Sequence, residues 1–204
     1  MQAANRGAMG TDLELCLDFT DTLDWRTSDH AKETLDSYAA LLKWSGKKGL
    51  LDQEQVNELG RADAREDFAT VLAEAVRFRE AIYHIFSAIA RKSRAPPKDL
   101  QLLNEYLARS LSRMVVRETR EGYEWGLSCD TAPEMMLYQI AESAAMLLTS
   151  DDLPRVRECA NEEEGCGSLF LDCSKSQTRR WCSMESCGNR AKSRAFYDRH
   201  LRVT

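Results

Sequence analysis

The sequence predicts a mainly α-helical protein that ends in a small four-cysteine module. Apolar residues recur at helical spacing along most of the chain, and five of its seven cysteines follow residue 158. A length of 204 residues suits one main core with a small appended module. We therefore expect a helical domain with a small β-hairpin over residues 1–153. Residues 154–204 should form a zinc finger, a knuckle or hairpin followed by a helix.

The helical prediction comes from segments whose apolar residues fall on one face. The clearest segment covers about residues 62–92. The same pattern predicts helices over about residues 29–44, 53–59, 98–109 and 132–149. Residues 114–128 change to a period of two, because aromatic and aliphatic residues alternate there with polar or small ones. We predict the β-hairpin in this segment.

Composition and motifs argue against several classes of protein. No apolar stretch is long enough to span a bilayer, and residues 1–10 lack the apolar core of a signal peptide. We therefore expect a cytoplasmic protein with reduced thiols, in which a cysteine cluster indicates a metal ion rather than disulfides. The sequence contains no phosphate-binding loop, dinucleotide fingerprint or serine nucleophile elbow, so we expect no enzymatic activity.

The net charge of −5 hides a strong asymmetry. Residues 174–204 contain eight Lys or Arg and two acids, a charge of +6, which leaves −11 for residues 1–173. An acidic body with a basic C-terminal segment suits an anionic partner such as DNA. A solvated basic helix without a partner is the alternative, and charge alone does not separate the two.

Two cysteine pairs near the C-terminus have the features of a structural zinc site. Six residues separate Cys159 from Cys166, and four separate Cys182 from Cys187. Four thiolates satisfy the closed tetrahedral coordination that structural zinc prefers. On spacing alone two alternatives stay open: the cysteines are simply buried or unpaired, or Cys173 replaces Cys159 in the quartet.

The chain from Cys166 onward carries a long run of motif residues. It contains Phe170-Leu171-Asp172, Ser174, Arg179-Arg180-Trp181-Cys182-Ser183-Met184, Cys187-Gly188-Asn189-Arg190 and Lys192. This run resembles the CGNR zinc finger. In that family the first cysteine pair precedes the Phe-Leu-Asp segment, so the resemblance implies Zn²⁺ bound by Cys159, Cys166, Cys182 and Cys187. The gap inside the first pair is longer here than usual, and Cys173 stands where the family commonly has a small hydroxyl residue.

The N-terminal part carries a second set of motif residues. The segment LCLDFTDTLDWR, Leu15 to Arg26, is followed by a predicted helix and then by Gly49-Leu50-Leu51. This arrangement resembles the ABATE domain, which precedes the CGNR finger, although Asp21 stands where the family often has Asn. The two resemblances cover nearly the whole chain. They imply a stress-responsive transcription regulator whose zinc finger binds DNA.

Basic residues around the predicted zinc site are candidates for phosphate contacts. They are Arg179, Arg180, Arg190, Lys192 and Arg194. Lys192 falls on nearly the opposite helix face from Arg190 and Arg194, so the helix lacks a single basic stripe. Some of these arginines could instead serve structure, as Arg190 would beside the zinc–thiolate centre. We expect Trp181 and Phe196 to lie in the core of the module.

A second candidate site lies in the N-terminal motif. Asp18, Asp21 and Arg26 could line a pocket for a small polar effector, but capping, turn and ion-pair roles are favoured for them. The function we predict is a zinc-dependent DNA-binding regulator whose helical domain senses a ligand or partner. We expect either dimerisation through the helical body, so that two fingers bind two half-sites, or weak and largely nonspecific DNA binding. The alternatives are a zinc-stapled protein-interaction module and a small-molecule-binding protein, neither of which contacts DNA.

Overall fold

The computed structural model describes residues 12–61, 66–128 and 132–201, and it has the mainly α-helical fold that the sequence predicts. The helices are α1 (Leu15–Thr20), α2 (Tyr38–Lys47), α3 (Gln53–Arg61), α4 (Glu66–Ala90), α5 (Pro97–Leu111), α6 (Met135–Leu148) and α7 (Asn189–Leu201). The strands form three antiparallel pairs: β1 (Leu23–Asp24) with β2 (Lys32–Glu33), β3 (Met114–Thr119) with β4 (Gly122–Leu127), and β5 (Val156–Glu158) with β6 (Leu169–Leu171). None of the described helices has the length and apolarity needed to cross a bilayer.

Helix α4 lies at the centre of the core and packs against α1, α2 and α5, while α6 packs against α1 and α5. Its apolar residues recur every three or four positions, so that Phe78, Ile82 and Phe86 are fully buried along one side. The residues of α6 are buried on most of its sides, as expected for a helix in the interior. The core therefore consists of helices stacked around α4, with the hairpin β3–β4 on its outside.

The structure corrects the predicted start of one helix. Residues 29–44 were predicted as helical, but α2 begins only at Tyr38, because the Ser37 hydroxyl accepts the Ala40 N–H (3.1 Å) and caps the helix there. The preceding residues Lys32 and Glu33 are extended and pair with β1. The other predicted helices and the hairpin are confirmed to within a few residues, although residues 62–65 and Cys129 lie outside the described part of the chain.

The cysteine-rich module is attached to the helical body by the hairpin β5–β6. Val156, Leu169 and Leu171 of this hairpin are buried in the same core as α4. Glu158 at the end of β5 accepts hydrogen bonds from two side chains of α4, Tyr83 (3.0 Å) and Ser87 (3.1 Å). It also accepts hydrogen bonds from Arg91, the residue that follows α4 (2.8 Å to each carboxylate oxygen). The first hairpin of the module is therefore packed into the core of the helical body.

A buried guanidinium joins strand β2 to α4. Arg79 is only 2% exposed, and it donates two hydrogen bonds to the Glu33 carboxylate (both 2.7 Å) and one to Glu80 (2.9 Å). It also contacts the Thr22 hydroxyl at 3.3 Å. Bidentate, charge-assisted bonds of this kind are among the strongest in proteins. The bonds from Arg79 hold Glu33 in an extended segment, which explains why the helix α2 does not include this residue.

The substitution Arg79→Met should lower the free energy of unfolding by about 3 kcal/mol, because Glu33 and Glu80 lose the buried cation that joins them. Lys48→Met is the matched control. It removes a cation from the half-exposed ion pair with Asp18 and should cost no more than about 1 kcal/mol. Urea denaturation measures both losses. If they are equal, the cluster around Arg79 contributes no more than a surface ion pair.

Candidate metal centre

Four cysteines from two separate segments meet at one point. Cys159 follows β5 and Cys166 lies just before β6, so both belong to the loop of this hairpin. Cys187 lies in a single π-helical turn, Met184–Gly188, that leads into α7, and Cys182 lies two residues before that turn. The Sγ atoms of all four lie within 4.8 Å of one another, and all but Cys182 are buried.

The distances between the sulfur atoms fit a zinc ion. Sγ of Cys166 lies 3.5 Å from that of Cys187 and 3.7 Å from that of Cys182, and the Cys182–Cys187 distance is also 3.7 Å. Tetrahedral coordination with zinc–sulfur bonds of about 2.3 Å requires sulfur–sulfur separations of about 3.8 Å. A disulfide would bring two sulfurs to about 2.05 Å. The cysteines are free thiols at the spacing of a closed tetrahedral site.

Cys173 lies apart from this cluster. Its thiol is exposed and points to Glu14 Oε1 at 3.8 Å. Of the two quartets that spacing allows, the structure thus brings together the one that contains Cys159. The spacing of the cysteines in the sequence does not distinguish the two quartets. The fold does, because Cys159 and Cys166 lie in the loop of the hairpin β5–β6, whereas Cys173 follows the last strand at the opposite end.

The electrostatics of the cluster favour a bound cation. Hydrogen bonds from the thiols of Cys166 and Cys182 lower the pKa of Cys159 to about 4. The same contacts, first with Cys159 and then with Cys166, raise the pKa of Cys182 above its ordinary value. The cluster therefore favours a thiolate at Cys159 and a protonated thiol at Cys182. A divalent cation removes the repulsion that prevents all four from ionising together.

The segment between the two cysteine pairs is ordered by Asp172 and Arg179. The buried Asp172 carboxylate accepts the backbone N–H groups of Ser174 (3.0 Å) and Arg179 (2.9 Å). The Arg179 guanidinium lies 4.5 Å from the centre of the Phe170 ring and donates to the carbonyls of Trp181 (2.9 Å) and Cys182. Arg179, predicted to contact DNA, is thus occupied in positioning a cysteine. Sequence reasoning missed the role of Asp172, although it lies in the family motif.

The loop after Trp25 supports the first cysteine pair from the helical body. The backbone N–H groups of Arg26 and Thr27 donate to the carbonyls of Cys166 (3.2 Å) and Gly165 (3.1 Å). The Trp25 ring lies 4.4 Å from the guanidinium of Arg190 and packs against the cysteine cluster. The N-terminal motif and the metal-binding loop are therefore in direct contact.

Two of the predicted DNA-contacting arginines are paired with acids. Arg194 pairs with Glu163 and Glu164 and donates to Asn161 Oδ1 (3.2 Å), all in the loop between Cys159 and Cys166. The Arg190 guanidinium lies 3.5 Å from Glu164. By contrast Arg180 and Lys192 are exposed, and neither forms an ion pair with any acid in the described part of the chain.

The aromatic residues of the module divide into a covered and an open group. Phe170 is buried and Trp181 is half-buried, and both contact the cysteine cluster. Phe196 on α7 is 52% exposed. The prediction that Phe196 is a core residue is therefore wrong, because its ring contacts Tyr197 and His200 of its own helix and joins neither hydrophobic cluster of the described residues.

The residues of the predicted effector pocket have separate partners. Asp18 forms an ion pair with Lys48. The Arg26 guanidinium pairs with Glu80 and lies 4.0 Å from the centre of the Tyr83 ring, whereas Asp21 is exposed. A cleft of about 530 Å³ does open beside Trp25 and the acidic loop, but the residues that line it include none of these three.

The fold and the site define a helical protein with a C-terminal four-cysteine module of the zinc-finger type. Residues 13–151 match the ABATE family, described as "Putative stress-induced transcription regulator", and residues 155–200 match the CGNR zinc finger. The chain belongs to the ABATE family and carries a CGNR zinc finger after its helical domain. Comparison with curated protein sequences gives no significant match.

The substitution Cys159→Ser should weaken zinc binding at least about 100-fold, since even changes next to a zinc ligand cost about 10–100-fold. Cys173→Ser should leave the affinity unchanged, because this thiol lies outside the cluster. Competition with a chromophoric chelator measures both affinities. Loss of zinc from Cys173→Ser, with retention in Cys159→Ser, would establish the other quartet as the ligand set.

The substitution Gly165→Ala should destabilise the zinc-loaded protein, because this residue has φ +70° and an added Cβ would lie 2.5 Å from the Ser28 backbone nitrogen. Gly49→Ala is the matched control, with φ +72° and open space around it. Backbone strain costs about 1–2 kcal/mol in both variants. The clash should cost Gly165→Ala about 2 kcal/mol more in urea denaturation. Equal losses would mean that the contact with the body is not tight.

Proposed function

We propose that this protein is a zinc-dependent, DNA-binding transcription regulator. In this proposal the CGNR finger contacts DNA, and the helical domain senses a ligand or a partner without enzymatic activity. The observation that carries the proposal is the four-sulfur cluster at the start of α7, a helix with exposed cations. Membership of the ABATE family supports the regulatory role. A cytoplasmic homodimer that presents two fingers to paired half-sites would be consistent with it.

In the proposed mechanism the cysteines fix the position of α7. Cys159 and Cys166 would hold a zinc ion from the hairpin attached to the body, while Cys182 and Cys187 would hold it from the segment that leads into the helix. The bound ion would act as a cross-link and supply folding energy to a module with a very small core. Asn189 follows Cys187 by two residues, so the helix begins at a position set by the metal ligands.

The residues available for phosphate contacts are fewer than the sequence suggests. Of the five predicted cations, Arg180 and Lys192 are the exposed ones whose side chains bond to neither an acid nor a carbonyl among the described residues. We assign supporting roles to Arg179, Arg190 and Arg194, since each already contacts a carbonyl or a carboxylate of the finger. DNA contact by the finger would then depend on these three arginines only indirectly, because they hold the finger in its folded shape.

A second candidate function is a protein-interaction module in which zinc only staples the C-terminal unit. The packing of β5–β6 into the core of the body, with Glu158 bonded to α4, favours this alternative. A finger held so firmly could serve as a rigid docking surface without contacting DNA. This candidate requires no phosphate contact by Arg180 or Lys192, which makes the two functions separable by experiment.

The proposal predicts zinc-dependent DNA binding that weakens as salt increases. The zinc-loaded protein should bind random duplex DNA at low salt, and log affinity should fall linearly with log salt concentration, by about 0.9 per phosphate contact. Chelation should abolish binding, and added zinc should restore it. Fluorescence anisotropy across a salt series measures both effects. If a folded protein with full zinc content does not bind at low salt, the interaction-module function replaces this one.

A further inference from the structure

Helix α7 has two basic faces on nearly opposite sides. At 3.6 residues per turn, Lys192, Phe196 and Arg199 lie within about 60° of one another around the helix axis, and His200 adjoins them. We call these four residues the Lys192 face. Arg190 and Arg194 lie about 160–200° away from Lys192, and we call these two the Arg194 face. The two faces have different surroundings in the structure.

The Arg194 face is occupied by the finger's own acids. Glu162, Glu163 and Glu164 form a one-turn 3₁₀ helix inside the first cysteine loop, and Arg194 pairs with the last two of them. Arg190 lies between Glu164 and the Trp25 ring. Two carboxylates, those of Glu163 and Glu164, therefore neutralise the two guanidinium groups. A phosphate approaching this side would have to displace carboxylates already in place.

The Lys192 face is open and has no acid on it. Lys192, Arg199 and His200 are exposed, and none of them forms an ion pair within the described part of the chain. Arg199 donates from Nε to the Ala195 carbonyl of its own helix (2.9 Å), and its two terminal nitrogens have no partner among the described residues. The single acid of α7, Asp198, lies about 100° from Arg199 around the axis.

An exposed aromatic ring lies among these cations. Phe196 is 52% exposed, and its ring stacks on that of His200 with 4.0 Å between centroids. An apolar ring held in place among cations suits a partner that offers phosphates together with apolar sugar and base surfaces. Self-association through this face would bring two sets of like charges together, which is unfavourable. The charge of the face thus selects an anionic occupant rather than a second copy of this chain.

We infer that the Lys192 face of α7 is the surface that contacts duplex DNA, with Lys192 and Arg199 on phosphates and Phe196 against the sugar backbone. The Arg194 face instead braces α7 against the first cysteine loop. This inference rests on the proposed DNA-binding function and adds the direction from which the finger meets the duplex.

The test replaces the two cations with residues that preserve the helix. Lys192→Gln combined with Arg199→Gln should weaken binding of the zinc-loaded full chain to duplex DNA about tenfold or more. The slope of log affinity against log salt should also become shallower by about 1.8, because two phosphate contacts are lost. Lys43→Gln combined with Lys47→Gln is the matched control, since it removes the same charge from exposed positions of α2. It should leave the slope unchanged.

Two further variants separate this face from its alternatives. Arg190→Gln combined with Arg194→Gln should keep the wild-type salt slope when zinc-loaded, but should weaken zinc binding because the brace on the first cysteine loop is lost. Phe196→Ala should weaken DNA binding without changing the slope, and sedimentation should show the same oligomeric state as the wild type. A change of oligomeric state with unchanged DNA affinity would identify the face as a protein interface and overturn the inference.

The outcomes also distinguish this inference from the proposed function. If the wild-type protein binds DNA but the Lys192/Arg199 variant keeps its affinity and slope, the finger uses another surface and only the present inference fails. The same holds if the slope changes only in the Arg190/Arg194 variant. If the zinc-loaded wild type does not bind DNA at low salt, both the proposed function and this surface are overturned.

Discussion

The convergence of four sulfur atoms is the constraint on which the C-terminal third of the protein depends. Apart from the cysteines, the cluster at this point contains one buried aromatic residue, Phe170, and the partly buried Trp25 and Trp181. So few apolar side chains cannot hold a module of this size together by hydrophobic burial alone. A metal ion that joined the two distant segments would supply the missing cross-link, and the four thiols lie at the separations such an ion requires. The position of α7 would then follow from that cross-link.

The two halves of the cysteine cluster are supported in different ways. The first pair lies on a hairpin whose Val156, Leu169 and Leu171 belong to the main core, and Glu158 fastens this hairpin to α4. The second pair is held by the Arg179 contacts to backbone carbonyls and by the ion pairs of α7. Half of the site is thus preformed by the body, while the other half relies on exposed interactions that contribute little by themselves. The metal would therefore stabilise mainly the second pair and α7, and the helical body would keep its structure without it.

The predictions from sequence were accurate where one local pattern decided the structure. Helical periodicity located α4 and α6, and alternation located the hairpin β3–β4, because burial of one face requires these patterns. Contacts between distant segments decided the rest. Arg79 of α4 draws Glu33 out of the predicted helix, and Glu163 and Glu164 neutralise an arginine that follows them by thirty residues. The residue type of Phe196 predicts a core position, but among the described residues neither hydrophobic cluster reaches this part of α7, and only the path of the chain shows that.

The distribution of charge in the fold gives a reason for the orientation of the proposed DNA complex. Residues 1–173, which include the helical body, carry −11 and would repel a duplex, whereas the +6 of residues 174–204 would attract it. If acids of the protein paired with all the cations of α7, the helix would no longer attract phosphates. Instead, the acidic turn Glu162–Glu164 pairs with the two arginines of the Arg194 face, and the cations of the Lys192 face form no such ion pair among the described residues. In the proposed complex one monomer would offer a single helix face, which would give affinity for phosphates but little sequence discrimination, so specific recognition would require a second finger at a fixed distance.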